Sequence, residues 1–147
     1  MAATALRTGL VLLAAVLLSA DQAADVRAQL GAIATGLTAG NPAQAMTPFD
    51  KSYSDYDKLS DYFAGLTNAF QIVNNLSVTD EEDGAAESKL TVHWTMTLSD
   101  QGKNFTQQRA GDIHVRLVLK GRKWKIVEFS PVDVFDPQPK PWPKPGA

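Results

Sequence analysis

The spacing of the apolar residues changes near Ile72 from a helical period to a period of two, and this change constrains the fold more than any other feature. Before Ile72 the apolar residues recur every three or four positions, as they do on the buried face of an amphipathic helix. After Ile72 they alternate with polar residues, as they do in strands with one buried face. Helices followed by strands, rather than alternating with them, predict an α+β fold in two layers.

Three helices are predicted before Ile72. The first ends at Gly40, and its buried stripe consists of Val26, Leu30, Ile33 and Leu37. Asn41 followed by Pro42 is a typical start for a second helix, which Pro48 keeps short. The third helix begins near Ser54, and its buried stripe consists of Leu59, Phe63, Leu66 and Phe70.

Four strands are predicted in the second half, at about residues 72–79, 86–98, 105–119 and 124–130. The segments "TDEEDG", "SDQGKN" and "KGRK" separate them and are rich in turn-forming residues. Connections this short join neighbouring antiparallel strands, so we expect a four-stranded antiparallel meander with the helices covering one face.

Residues 1–23 have the layout of a secretory signal peptide. Arg7 precedes a short apolar run at residues 10–18, and small residues follow at 19 and 20. The run is shorter than the roughly 20 apolar residues that a membrane-spanning helix needs. We therefore predict cleavage near Ala20 or Ala23, export to the periplasm or the extracellular space, and no stable membrane insertion after cleavage. An uncleaved anchor is the alternative.

The end of the chain has a different composition from the domain. Proline occupies every second position from Pro137 to Pro145, which favours the extended polyproline II conformation and excludes pairing in a sheet. Residues 137–147 are thus predicted to be a disordered tail, which acts as a spacer or docking peptide or simply as a solvated end. The folded domain is predicted to span residues 24–136.

Charge and cysteine content exclude several classes of partner. The chain has 147 residues, enough for one domain, with a net charge of −2 and no cysteine. Nucleic acids and anionic membranes attract a concentrated basic face, which this composition does not supply, so neither is expected as a partner. Without cysteine the domain has neither disulfides nor thiolate ligands for zinc.

The order of these elements, closed by the strand "GRKWKIVEFSP" from Gly121 to Pro131, resembles the nuclear transport factor 2-like superfamily. That superfamily includes SnoaL-like polyketide cyclases and ketosteroid isomerases. The resemblance spans roughly residues 25–135 and implies a cystatin-like cone, in which a curved sheet and the helices enclose a pocket. Some members use this pocket for catalysis and many only for binding, so the resemblance leaves the function open.

Pairing across the predicted turns places four polar residues on the otherwise apolar inner face of the sheet, namely Asn74, Ser88, Arg109 and Glu128. In this register Trp94 lies opposite Arg109, Leu90 opposite Asn74, and Val115 opposite Glu128. Because an unpaired buried carboxylate is costly, Glu128 either lines a polar pocket or is turned outward by a bulge that brings Phe129 inward.

Arg109 and Tyr56 are further candidates for ligand binding. A guanidinium stacked on the indole of Trp94 can hold an anion, whereas the alternative is an arginine whose stem covers Trp94 and whose head reaches water. Tyr56 lies with Tyr53 and Tyr62 near the start of the third helix, where a hydroxyl can donate to an oxyanion or the rings can simply pack. The predicted ligand-binding set is Asn74, Trp94, Arg109, Glu128 and Tyr56.

The two histidines do not predict a metal site. In the predicted register His93 lies opposite Ala110, about 13 Å from His114 at roughly 3.3 Å per residue, which is too far for one metal ion to bind both. The sequence also lacks a serine nucleophile motif, a phosphate loop and a metalloprotease signature. We therefore expect no metal and no cofactor, and we assign no catalytic residue.

Three functions are compatible with the sequence. The first is an exported, non-catalytic domain that binds a small amphipathic or acidic molecule in the cone. The second is an isomerase, dehydratase or cyclase in which Glu128 moves a proton. The third is an assembly module without a ligand, which forms a homodimer through the outer face of the sheet, where Val118, Val127 and Phe129 are expected.

Overall fold

A computed structural model of the protein describes residues 22–100 and 102–138. Helix α1 covers residues 22–38, α2 Pro42–Met46 and α3 Tyr56–Ala69. The strands are β1 Gln71–Asp83, β2 Glu87–Asp100, β3 Phe105–Lys120 and β4 Lys123–Ser130, followed by a short 3-10 helix at Asp133–Phe135. The apolar run of the predicted signal peptide and nearly all of the proline-rich tail lie outside the described residues.

The four strands form one antiparallel sheet in the order β1-β2-β3-β4, and the helices pack on one face of it. The predicted α+β fold, with N-terminal helices on a four-stranded meander, is therefore confirmed. The segment after α2 reaches the free edge of β4, where Phe49 forms a parallel bridge with Ile126. There the amide of Asp50 donates to the carbonyl of Ile126, and the amide of Ile126 donates to Pro48, both at 2.9 Å.

The buried faces of the helices are those that the spacing predicts. The α1 stripe of Val26, Leu30, Ile33 and Leu37 is buried, and so are Leu59, Phe63 and Leu66 of α3. Asn41 caps α2, since its side-chain oxygen accepts a hydrogen bond from the amide of Gln44 at 3.1 Å. Gly36 lets α2 approach α1 closely, because a Cβ there would lie 2.5 Å from the backbone nitrogen of Ala45.

The observed register differs from the predicted one by an even number of residues in the first two hairpins. Trp94 lies opposite Gly111 rather than Arg109, which pairs with Met96. Asn74 also pairs with Met96, on the other side of β2, rather than with Leu90. Because an even shift keeps every side chain on its face, the inward positions were predicted correctly although the partners were not.

The shift in the first hairpin arises from the length of β1. The acidic residues 80–83 were interpreted as part of a turn, but they continue the strand as far as Asp83. The hairpin closes only at Gly84, whose amide donates to the carbonyl of Glu87 at 2.7 Å. An edge strand tolerates such charged residues because one side of it faces solvent.

The third hairpin follows the prediction near its turn and departs from it further along. Lys120 lies opposite Lys123, Leu119 opposite Trp124, and Leu117 opposite Ile126, as predicted. Trp124 is buried, with 5% of its surface exposed. The register then shifts between Arg116 and Leu117, where β4 contains one extra residue.

None of the helices within the described residues combines the length and the apolar composition that crossing a membrane requires.

Candidate functional site

The interior of the cone is filled by an aromatic cluster, which consists of Phe49, Phe63, Trp94, Phe129 and Phe135. The ring of Phe135 lies 5.3 Å from the ring of Trp94 and 5.4 Å from that of Phe63, in both cases edge to face. Phe129 contacts Phe49 in the same way at 5.1 Å. Edge-to-face contacts at these distances are typical of a packed apolar core. The space that the resemblance assigns to a pocket is therefore occupied by side chains of this chain.

Glu128 does not lie in the cone, and its predicted inward position is wrong. The bulge in the third hairpin places Phe129 opposite Val115 and Glu128 opposite Arg116. Phe129 is thus buried on the inner face with 1% exposure, whereas 64% of the Glu128 side chain is exposed. The carboxylate of Glu128 lies 3.1 Å from Nη2 of Arg116 on the outer face. The bulge that was the alternative interpretation of this strand is what the structure shows.

Asn74 and Trp94 lie together on the inner face and bind each other. The indole Nε1 of Trp94 donates to Oδ1 of Asn74 at 2.9 Å. The Nδ2 of Asn74 donates in turn to the carbonyl of Ala34 at 3.2 Å and to the hydroxyl of Thr38 at 3.3 Å. These bonds connect β2, β1 and α1, so the structure gives both residues a role in joining the sheet to the helices.

Arg109 is also on the inner face, but it is fully buried, so its guanidinium does not reach water. Only 1% of its surface is exposed. Its Nη1 donates to the carbonyls of Val134 at 2.9 Å and Asp136 at 2.5 Å, and its Nε donates to Oε1 of Gln107 at 3.0 Å. Burial lowers the pKa of Arg109, and the charge of the nearby Asp136 acts in the opposite direction. Arg109 therefore connects β3 to the C-terminal end of the domain.

Tyr56 lies apart from the other predicted residues, in a cleft on the outside of the domain. This cleft, which we call the α2–β4 cleft, has a volume of about 460 Å³. Its lining consists of Ala43, Met46, Thr47, Phe49, Asp50, Lys51, Tyr56 and Lys125. Sequence reasoning missed both lysines. Lys51 stands between the second and third predicted helices, and Lys125 reaches the cleft only because residues 48–50 pair with β4.

The charges around the α2–β4 cleft are partly paired. Oδ2 of Asp50 lies 2.9 Å from Nζ of Lys120, and Oδ1 accepts a hydrogen bond from the amide of Ser52, also at 2.9 Å. Hydrogen bonds from Ser52 and from Lys120 hold the pKa of Asp50 well below its usual range. Lys125 donates to the carbonyl of Thr47 at 2.9 Å. The lining of the cleft thus combines apolar side chains with the ammonium groups of Lys51 and Lys125.

A second, smaller groove of about 200 Å³ lies on the outer face of the sheet, beside the bulge that turns Glu128 outward. Its lining mixes acidic residues with Lys89, His114 and Arg116. Nearby, Nδ1 of His93 lies 2.8 Å from Oδ1 of Asp112, its cross-strand neighbour. Within residues 22–100 and 102–138, no three His, Cys, Asp or Glu side chains are grouped so that they could hold a metal ion.

The predicted dimer surface on the outer face is smaller than the sequence indicated. Phe129 belongs to the buried core, so that part of the prediction is wrong. Val118 and Val127 remain on the outer face and are half-buried. A homodimer through this face stays a prediction, with less apolar surface to support it.

Comparison of the sequence with family models and with the curated proteins finds no match.

Solved structures with the same architecture are nonetheless known. A conserved protein from Planctomyces limnophilus superposes with a TM-score of 0.70 at 6% sequence identity, covering 77% of this chain and 95% of that one. A ketosteroid isomerase-like protein from Erwinia carotovora atroseptica gives a TM-score of 0.59 at 10% identity, and the superposition covers 74% of this chain and 96% of that chain.

A nuclear transport factor 2-like superfamily protein from Salmonella enterica gives a TM-score of 0.56 at 10% identity, with 71% of this chain and 87% of that chain covered. Identities this low establish the fold and leave the activity open. The order of the elements, the sheet topology and these superpositions agree, and the chain has the fold of the nuclear transport factor 2-like superfamily.

Proposed function

We propose that this protein is an exported, non-catalytic binding domain that holds a small, acidic, amphipathic molecule in the α2–β4 cleft. The observation that supports this proposal is the contrast between the interior of the cone and the α2–β4 cleft. The cone interior is filled by the aromatic cluster, whereas the cleft is open and combines apolar and cationic groups.

The lining of the cleft suits a ligand with an apolar body and an acidic head. Met46 and Phe49 offer apolar surface, and Tyr56 offers a ring with a polar end. Lys125 uses one proton of its ammonium group on Thr47 and has two more to donate. Since Asp50 is paired with Lys120, its carboxylate does not cancel the charge of Lys51 and Lys125. The volume of about 460 Å³ lies in the usual range for small-molecule sites, about 300 to 1,000 Å³.

The position of Glu128 weighs against the alternative of an isomerase, dehydratase or cyclase. Proton transfer by Glu128 would require its carboxylate within hydrogen-bond reach of a substrate in the cone, and Glu128 lies on the outer face beside Arg116. The likeness to a ketosteroid isomerase-like protein is a likeness of fold. A binding role needs no general base, and the one carboxylate in the lining of the α2–β4 cleft, that of Asp50, is paired with Lys120.

Calorimetric titration with octanoate, a carboxylate with an apolar chain, tests the proposal. We expect binding to the wild type, and about tenfold weaker binding to Lys51→Ala, since a lost charged contact costs about 1.5 to 3 kcal/mol before solvent screening. Tyr56→Phe, which removes only the hydroxyl, tests in the same way whether that hydroxyl contributes to the affinity for octanoate. Lys103→Ala is the matched control, because Lys103 is exposed in the turn between β2 and β3, away from the cleft. Equal affinities for Lys51→Ala and Lys103→Ala, or no binding to the wild type, would contradict the proposal.

A further inference from the structure

The groove of about 200 Å³ on the outer face of the sheet crosses all four strands, and we call it the outer groove. One row of its lining runs from Asp80 on β1 through Thr91 and His114 to Ser130 on β4, each residue opposite the next. Side chains on strands are positioned more precisely than side chains on loops. The outer groove therefore presents its polar groups on a rigid support.

The second row of the lining carries a charge on every strand. It runs from Glu82 on β1 through Lys89 on β2 and Arg116 on β3 to Glu128 on β4. The acidic residues thus lie on the two edge strands, and the basic residues lie on the two central strands. A ligand in the groove meets both signs of charge within a short distance.

Two bulges adjoin the outer groove, one from each edge of the sheet. The register of β1 shifts between Val78 and Asp80, and the register of β3 with β4 shifts between Arg116 and Leu117. A bulge interrupts the ladder, bends its strand and redirects a side chain, and bulges are frequent beside binding sites. Both edge strands therefore change direction where they border the groove.

Charged residues at the margins of the groove are paired with each other. In the adjacent row of the outer face, Nδ1 of His93 lies 2.8 Å from Oδ1 of Asp112. On the β4 side, Nη2 of Arg116 lies 3.1 Å from the carboxylate of Glu128. Cross-strand neighbours of opposite charge thus close on each other on both sides of the groove.

The charges on the β1 side of the groove do not close in this way. Lys89 lies directly opposite Glu82, yet neither side chain forms an ion pair or a hydrogen bond with any of the described residues. Asp80 has no such partner among them either. Nδ1 of His114 lies 3.2 Å from Oγ1 of Thr91, which leaves Nε2 for another partner. Two carboxylates thus face an ammonium group and an imidazole across an open groove.

We propose that the outer groove binds the zwitterion of a small amino acid. Its ammonium group lies between Asp80 and Glu82, and its carboxylate lies between Lys89 and His114. A ligand with both charges joins two sets of groups that do not reach each other, whereas a ligand with one charge satisfies only one set. The outer groove is separate from the α2–β4 cleft, so this inference does not rest on the proposed function.

The spacing of the strands fits this class of ligand. Asp80 and His114 are two strands apart, which is about 9.6 Å at roughly 4.8 Å per strand. Charged hydrogen bonds of about 2.8 Å at each end leave about 4 Å for the ligand, enough for an ammonium and a carboxylate on one carbon atom. When Thr91 donates to Nδ1 of His114, the neutral ring carries its hydrogen on Nε2 and can donate to the carboxylate.

Titration of the full-length protein with glycine, followed by NMR of the backbone amides, tests the ligand class. We expect saturable shifts centred on Thr91 and His114, and glycine should bind at least about tenfold more tightly than two analogues that each lack one charge. N-acetylglycine keeps the carboxylate without the ammonium, and glycinamide keeps the ammonium without the carboxylate. Binding of either analogue as tight as that of glycine, or no saturable shift with glycine, would overturn the proposal.

Two variants test which residues hold each charge. Lys89→Met should weaken glycine binding about fivefold and reduce its preference over glycinamide, because the contact to the carboxylate is lost. Asp80→Asn should weaken glycine binding by a similar factor and reduce its preference over N-acetylglycine instead. Asp112→Asn is the matched control, because it removes a carboxylate from the same face outside the groove. If Asp112→Asn weakens glycine binding as much as Asp80→Asn, the proposal is wrong.

Discussion

Phe129 lies opposite Val115 in the pairing of β3 with β4, and this pairing determines that Phe129 rather than Glu128 faces the interior of the cone. The bulge that produces it brings the ring of Phe129 into the aromatic cluster and turns the neighbouring Glu128 to the outer face. A domain with a carboxylate on its inner face would be suited to proton transfer, whereas this one has a phenyl ring there. The position of the bulge therefore removes Glu128 from the inner face and with it the proton-transfer role that the sequence suggested for this residue.

The position of the bulge predicts a large loss of stability for one substitution and a small loss for the substitution at the adjacent residue. Phe129→Ala should lower the free energy of unfolding by about 3 to 5 kcal/mol, because it empties part of a fully packed core. Glu128→Ala, the matched control one residue away, should cost about 1 kcal/mol or less, since its ion pair with Arg116 is exposed. Urea denaturation of both variants measures these losses. A larger loss for Glu128→Ala than for Phe129→Ala would show that the register of β4 is wrong.

Arg109 should contribute to stability far more than a surface arginine does. Arg109→Met should cost about 3 to 5 kcal/mol, because it leaves buried Asp136 without its neighbouring cation and two carbonyls without a donor. Arg122→Met is the control, since Arg122 is exposed in the turn between β3 and β4. Guanidinium chloride denaturation compares the two. A cost for Arg109→Met that matches the control would mean that the guanidinium is solvated rather than bound to the carbonyls of Val134 and Asp136.

Asp50 should make stability depend on acid pH. Its pKa is lowered in the folded protein, while the unfolded chain has the ordinary value of about 3.9. A lowered folded pKa contributes stability above the unfolded value, and that contribution is lost as the pH falls toward the folded value. The difference in Tm between the wild type and Asp50→Asn should therefore be largest near pH 7 and shrink between about pH 5 and pH 2. A difference that stays constant over this range would contradict the pairing with Lys120.

Export remains a prediction from the sequence, because the apolar run at residues 10–18 lies outside the described residues. We expect the secreted protein to begin near residue 21 or 24, as cleavage near Ala20 or Ala23 requires. Either site leaves the buried stripe of α1 intact, since that stripe starts at Val26. Intact-mass measurement of protein recovered from the periplasm or medium checks this, and recovery of the chain with Met1 still attached would show that the leader is not removed.

The candidate site was predictable in part. The sequence placed Asn74, Trp94 and Arg109 on the inner face, and the structure confirms those positions. Their partners were not predictable, because the carbonyls that Arg109 binds come from the segment after β4, whose path no periodic pattern describes. The α2–β4 cleft was missed for a similar reason, since it forms where a loop pairs with the edge of β4.

The sequence by itself determined the class of fold, the buried stripes of α1 and α3, and the inner face of each strand up to the bulge, because periods of 3.6 and 2 follow from local backbone geometry. The tertiary structure alone decided the register of the hairpins, the bulge before Phe129 and the filling of the cone by Phe135. These depend on how side chains distant in sequence fit into one volume, and a bulge reverses the faces beyond it without changing the composition of the strand. Glu128 and Phe129 are neighbours in the chain, and packing against Phe49 and Trp94 selected which of them is inside.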